Sequence, residues 1–110
     1  MFEYSASLIK IIDGDTIDAE IDLGFDVFVK KRVRLFGINA PETRTKNLDE
    51  KRAGLSSKRR LEELLEASDG KFKLKSHGLG KYGRCLGEIF IDNVSINNLL
   101  IKEGHAEVYK

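Results

Sequence analysis

Three short runs of this 110-residue chain hold side chains whose types and spacing suit chemistry on a phosphate. Arg34-Leu-Phe-Gly-Ile-Asn-Ala-Pro-Glu42 places an arginine at the end of an apolar strand and a glutamate just past the only proline, Pro41. A guanidinium grips a phosphate through two parallel hydrogen bonds, and a carboxylate a short turn away can take a proton from water. Asp13-Gly14-Asp15-Thr16 sets two carboxylates around a glycine turn, and hard cations take several such oxygens; by itself the same dipeptide is also a common hairpin turn. Lys81-Tyr82-Gly83-Arg84 flanks an aromatic ring with cations, a combination that suits a phosphate and a stacked base and that, alone, equally describes a solvated turn.

The elements that must position these runs follow from periodicity. Tyr4 to Ile12 reads as a strand, and Asp13-Gly14 as the turn into a second one, where Ile17, Ala19, Ile21 and Leu23 alternate with Asp18, Glu20 and Asp22. After Gly24 a long third strand is expected from Phe25 to Leu35, with Lys30, Arg32 and Arg34 on the face opposite Val29 and Val33. Residues 43–48 read as polar loop. A helix follows from about Asp49, its expected cap, to Ser68, with Gly54, Ser57, Leu61, Leu64 and Leu65 sharing one face. The small Gly54 and Ser57 predict a close approach to the sheet. Phe72 to Ser76 and Leu86 to Ile91 read as the fourth and fifth strands, and Ser95 as the cap of a short helix from Ile96 to Glu103 closed by Gly104. This order fits a mainly β fold with helices, a small five-stranded Greek-key barrel of the OB type; an open α+β sheet would give the same string of elements.

Composition narrows the field. The length suits one domain spanning residues 1–110. One cysteine, Cys85, excludes an internal disulfide and a cysteine-based zinc site, and His77 and His105 lie too far apart to read as a ligand pair. Cys85 is expected to be a small buried residue, His105 a capping or packing residue and His77 a loop residue. The N-terminus lacks the pattern of a signal peptide and no apolar run reaches membrane-spanning length, so the chain reads as cytoplasmic with no membrane partner. The net charge of +1 conceals an asymmetry: one base and seven acids in residues 1–26, against eleven bases and three acids in residues 27–60. The basic middle is a candidate phosphate-tracking surface and the acidic start a candidate cation site; both also read as solvated faces.

Asp-Gly-Asp-Thr after a first strand, Arg-Leu-x-Gly-Ile-x-Ala-Pro-Glu after a third and Lys-Tyr-Gly-Arg before a fifth resemble, in that order, the staphylococcal nuclease (thermonuclease) family. The resemblance runs from about Leu8 to Tyr109 and includes the intervening helix and the closing Val94-Ser-Ile-Asn97 and Gly104-His-Ala106 segments. It implies a five-stranded OB barrel that hydrolyses phosphodiesters of DNA and RNA with Ca²⁺ and little sequence preference, leaving 3′-phosphate ends. Carried over, Asp15 ligates Ca²⁺ with Asp13 close behind it, and the Ala40 carbonyl completes part of the shell. Glu42 positions or deprotonates the attacking water. Arg34 and Arg84 flank the phosphate, and Lys81 and Tyr82 contact the substrate. The family's usual second metal carboxylate is Asn39 here, which predicts weaker Ca²⁺ binding. The chain also stops at Lys110, where family members continue into a further C-terminal helix. Two rivals are a nucleic-acid-binding module silenced at Asn39 and a protein-interaction domain using the basic middle. The presence of Arg34, Glu42 and Arg84 together favours the enzyme.

Overall fold

Alternating apolar side chains roll the chain into a barrel. The computed structural model describes residues 2–80 and 83–109. In chain order its elements are β1 (Glu3–Asp13), β2 (Thr16–Asp22), β3 (Phe28–Leu35), β4 (Ile38–Asn39), α1 (Leu48–Glu66), β5 (Lys71–Leu79), β6 (Cys85–Ile91), β7 (Val94–Ser95), α2 (Ile96–Lys102) and β8 (Glu107–Val108). Ile17, Ala19, Ile21, Val33 and Leu35 point inward and are buried, as the period-two pattern requires. Register shifts in β1 between Leu8 and Lys10 and between Ile11 and Asp13 bend it, so that it pairs with β2 on one side and β5 on the other. The order β3-β2-β1-β5-β6 closes on itself because β6 also pairs with β3, in parallel, from Val33↔Cys85 to Leu35↔Gly87. The fold is therefore the closed barrel and not the open sheet.

The β3–β6 seam has two special residues. Any side chain at Gly87 would overlap Leu74 Cδ1 and crowd Val33 Cγ1. Asn97, at the start of α2 and 1% exposed, donates from Nδ2 to Phe36 O (2.9 Å) and Gly87 O (3.2 Å) and accepts from Ile89 N at Oδ1 (3.1 Å). One buried amide thus satisfies three main-chain groups where the barrel closes.

Several boundaries differ from the sequence reading. β3 begins at Phe28 and not Phe25, because Gly24 O accepts from Val27 N (2.9 Å) and turns the chain first. Asn47, not Asp49, caps α1: its backbone is extended and its side chain accepts from Glu50 N (3.1 Å). Asp49 instead lies in the first turn, where a negative charge suits the helix dipole. His77 belongs to β5, stacked on Phe36 with centroids 4.1 Å apart, and its Nε2 lies 3.5 Å from Glu88 Oε1. Cys85 is buried as expected, and burial pushes its thiol up from the ordinary range. Ser95 caps α2, accepting from Asn98 N at 3.2 Å. Among the described residues no helix is long and apolar enough to cross a membrane.

The charge asymmetry folds onto itself. Asp18 pairs with Arg32 and Glu20 with Lys30 across β2 and β3, and Arg32 Nε donates to Asp18 Oδ1 at 2.9 Å. That hydrogen bond holds the Asp18 carboxyl below its usual range. Part of the basic middle is thereby neutralised by the acidic start.

Asn97→Ala removes the side-chain partner of Phe36 O and of Ile89 N and one of two donors to Gly87 O, which keeps Phe36 N, and its expected cost is about 2–4 kcal/mol. Urea unfolding measures it; a loss within the noise of a surface substitution would mean that the seam closes without Asn97.

Candidate active site

The turn between β1 and β2 is held at very short range. A side chain at Gly14 would come within 2.7 Å of Ser57 Cβ and 3.1 Å of Ala40 Cβ, so glycine is required here by close approach. Next to it, Asp15 is 7% exposed. Its Oδ1 accepts from Thr16 Oγ1 (2.8 Å), its Oδ2 from Ala40 N (2.8 Å), and its carbonyl from Leu35 N (2.8 Å). One residue thereby ties the β1–β2 turn to the end of β3 and to the segment after β4.

Arg34 lies across the same point, its side chain 15% exposed. Nη1 donates to Ile38 O (2.9 Å), Leu35 O (3.2 Å) and Asp15 O (3.4 Å), and lies 3.5 Å from Asp15 Oδ2. Nη2 donates to Asn39 Oδ1 (3.2 Å), and the Tyr109 ring centroid lies 5.7 Å from Cζ. Asp15 and Asn39 therefore converge on one guanidinium, and Ala40 joins them through its N–H to Asp15 Oδ2. Their carboxylate, amide and main-chain carbonyl are all oxygen donors of the kind hard cations take, although only one carries a formal charge. Among the described residues no group of three or more His, Cys, Asp or Glu converges as a metal cluster.

Glu42 is exposed and is placed through its backbone. A side chain at Gly54 of α1 would lie 2.5 Å from Glu42 O and 2.9 Å from Pro41 O. On the other side, Asp13 Oδ1 accepts from Thr43 Oγ1 (2.6 Å) and Thr43 N (3.4 Å). The two aspartates of the turn diverge: Asp15 serves Ala40 and Arg34, and Asp13 fixes the residue after Glu42. An open cleft of about 580 Å³ lies here, lined by Asn39–Glu42, Glu50 and Ala53 of α1, and Gly104–Glu107. Its far wall is anchored by Ser57 Oγ, which donates to His105 O (2.6 Å), and by the Arg60–Glu103 pair, with bonds of 2.6 and 2.9 Å. His105 is thus a packing residue, as expected, acting through its carbonyl.

Arg84 stands immediately before β6, whose Cys85 and Leu86 pair with Val33 and Arg34; the seam brings the two arginine-bearing segments side by side. Lys81 and Tyr82 lie outside the described residues. Thr16, Thr43 and Tyr109 were not singled out from sequence as parts of the site. Thr16 and Thr43 belong to it through hydrogen bonds to aspartates, and only Thr16, adjacent to Asp15 in the motif, carried a sequence signal.

A family model described as staphylococcal nuclease homologue matches residues 32–110. The chain is 33% identical over 105 residues to the SPbeta prophage-derived endonuclease YokF of Bacillus subtilis (strain 168), covering 93% of this chain and 33% of that protein. It is 33% identical over 107 residues to Endonuclease YncB of the same organism, covering 94% and 47% respectively. To the Thermonuclease of Staphylococcus intermedius it is 32% identical over 97 residues, covering 88% and 55%. The chain thus spans between about a third and just over half of the length of these relatives.

Glycine to alanine in a helix normally stabilises by about 1 kcal/mol. At Gly54 the added methyl must displace the Pro41–Glu42 backbone, so Gly54→Ala is expected to destabilise by about 1–3 kcal/mol and to shift the amide resonances of Glu42 and Thr43. A more stable variant with unmoved resonances would show that α1 does not press on this segment.

Proposed function

The chain belongs to the staphylococcal nuclease family, and on that premise we propose that it is a nuclease, hydrolysing phosphodiesters of DNA and RNA with little sequence preference and leaving 3′-phosphate ends. The observation that carries this reading is the bonding of Arg34. Its four hydrogen bonds are all made from Nη1 and Nη2, and Nη2 makes only one of them. Among the described residues this leaves Nε–H and one Nη2–H to grip two phosphoryl oxygens, the fork that suits a phosphate.

A phosphodiester is anionic and repels the attacking water, so a catalyst must neutralise the one while orienting and deprotonating the other. Arg34 supplies charge from a fixed position. Arg84, across the seam, supplies a second guanidinium as negative charge builds on the five-coordinate phosphorus. Glu42, exposed on a backbone held between Gly54 and the Asp13–Thr43 contact, takes the proton from water. Lys81 and Tyr82 contact the backbone and base of the substrate. The carboxylate of Asp15, the amide oxygen of Asn39 and the carbonyl of Ala40 are ligands of the type Ca²⁺ takes, with a single carboxylate charge among them. When bound, that ion adds positive charge at the phosphate and makes water more acidic. Asp13 acts behind the site, on Thr43. The neutral Asn39 also supports a second reading, a module that binds nucleic acid without cutting it.

Digestion of single-stranded DNA and RNA in Ca²⁺, in Mg²⁺ and in chelator separates the two. Cleavage is expected in Ca²⁺ and not in chelator. Glu42→Gln should lower turnover by about 10²–10⁴, and alanine at Arg34 or Arg84 by about 10²–10³. Binding without cleavage in any metal would replace the nuclease with the binding module, and full activity of Glu42→Gln would remove Glu42 from its role.

Asn39→Asp restores a second carboxylate and is expected to tighten Ca²⁺ binding in titration calorimetry. An unchanged affinity would show that residue 39 is not a ligand.

A further inference from the structure

Phe36 and His77 form a stacked pair on the outside of the barrel, their ring centroids 4.1 Å apart and their planes 4° from parallel. Phe36 follows β3 and His77 belongs to β5, so the rings meet across β6, which runs between those strands. The backbone under Phe36 is fixed at both ends. Its N–H donates to Gly87 O (2.7 Å) and its carbonyl accepts from Asn97 Nδ2 (2.9 Å). The imidazole is backed in turn: its Nε2, shielded from water, faces Glu88 Oε1 at 3.5 Å. Glu88 Oε2 then accepts from Ser95 Oγ (2.6 Å), the residue that caps α2.

Burial does not account for this pair. One face of the Phe36 ring is covered by the imidazole, yet the residue remains 44% exposed, so the exposed part lies on the opposite face and the edges. An aromatic ring held in place with one face packed and the other open is the kind of surface on which bases stack. Its position relates it to the phosphate clamp. Val33 and Leu35 point into the core, so Arg34 and Phe36 both point outward, about 6–7 Å apart along the chain. A nucleotide whose phosphate lies on Arg34 carries its base one sugar away, within that reach. Glu88, the acid of this group, is engaged by Ser95 and His77 and stands opposite Lys75 in register.

We propose that the open face of Phe36 is a stacking site for an unpaired nucleobase of the strand whose phosphate Arg34 grips. The proposal rests on the reading that the chain takes nucleic acid as its substrate, and it does not need the strand to be cut. Phe36 is the contacting residue; His77, Glu88 and Ser95 position it. The site is tolerant of sequence, because every base presents a π-face and the ring makes no hydrogen bond to a base edge. It is distinct from Tyr82, which belongs to the run before Arg84.

Fluorescence anisotropy at low salt and in chelator tests it, with short single-stranded oligonucleotides that are either thymine-bearing or abasic. The wild-type chain is expected to bind the base-bearing strand at least about tenfold more tightly than the abasic one. Phe36→Ala should remove most of that difference and leave the affinity for the abasic strand unchanged. Phe36→Trp should keep the difference, and Phe36→Leu, which has apolar bulk without a π-face, should lose it. Equal wild-type affinity for the two strands would overturn the proposal. So would an undiminished difference in Phe36→Ala, which would assign the base to Tyr82. A Phe36→Ala chain weakened equally toward both strands would make the ring a packing residue and overturn it as well. Because the readout is binding in chelator, a failure of hydrolysis in Ca²⁺ is a separate result.

Discussion

A buried carboxylate sets the terms for the rest of the molecule. Asp15 is almost fully removed from water, and an ionised group so placed is tolerated only when its oxygens are paired. The pairing is met from three parts of the chain: Thr16 beside it, Ala40 after the short β4 strand and Arg34 at the end of β3. Satisfying one charge therefore brings the β1–β2 turn, the end of β3 and the Asn39–Glu42 segment to a single point. Helix α1 can approach that point because Gly14 and Gly54 have no side chains and Ser57 has a small one. Its contacts then carry the order outward, through Ser57 to His105 and through Arg60 to Glu103.

The long elements were legible in the sequence because their burial is periodic. Ile17, Ala19 and Ile21 alternate with acids and lie inward, and Gly54, Ser57, Leu61 and Leu65 recur at helical spacing and are buried. The Ser95 cap and the burial of Cys85 were legible for equally local reasons. What escaped was set by distant partners. β4 and β8 are two residues each and exist because Ile38 meets Val108 and Asn39 meets Glu107, a pairing with no periodic trace. Asp49 and Asn47 are both competent caps, and only the extended backbone at Asn47 decides between them. His77 looked like loop because Gly78 and Gly80 follow it, yet its ring is fixed by Phe36 on the far side of the barrel seam.

The candidate site shows the same division. The three motifs marked Asp15, Arg34, Glu42 and Arg84 by residue type, since carboxylates and guanidinia are the groups phosphate chemistry needs, while Asn39 and Ala40 entered only through the family resemblance. They did not locate the parts that hold those groups still. Thr43 matters only because Asp13 turns toward it, and Gly54 because the backbone of Glu42 passes beneath it. Only the fold shows that part of the charge asymmetry is internal, because Asp18 and Glu20 lie opposite Arg32 and Lys30 on adjacent strands.

Asn39 gains a second meaning from its contact with Arg34. With an aspartate at this position the guanidinium would lie between two carboxylates, and much of its charge would be neutralised before any substrate arrived. Here it lies between one carboxylate and one neutral amide. At about 3–4 Å a full charge interacts far more strongly than an amide dipole, even at the moderate effective dielectric of a partly buried site. The neutral residue therefore weakens the attraction for a cation and strengthens, by the same change, the attraction of Arg34 for a phosphate. In the proposed hydrolysis a chain built in this way would lean more on its guanidinium, beside whatever metal it binds, to hold an anionic substrate, with Asp15 as the one carboxylate next to both.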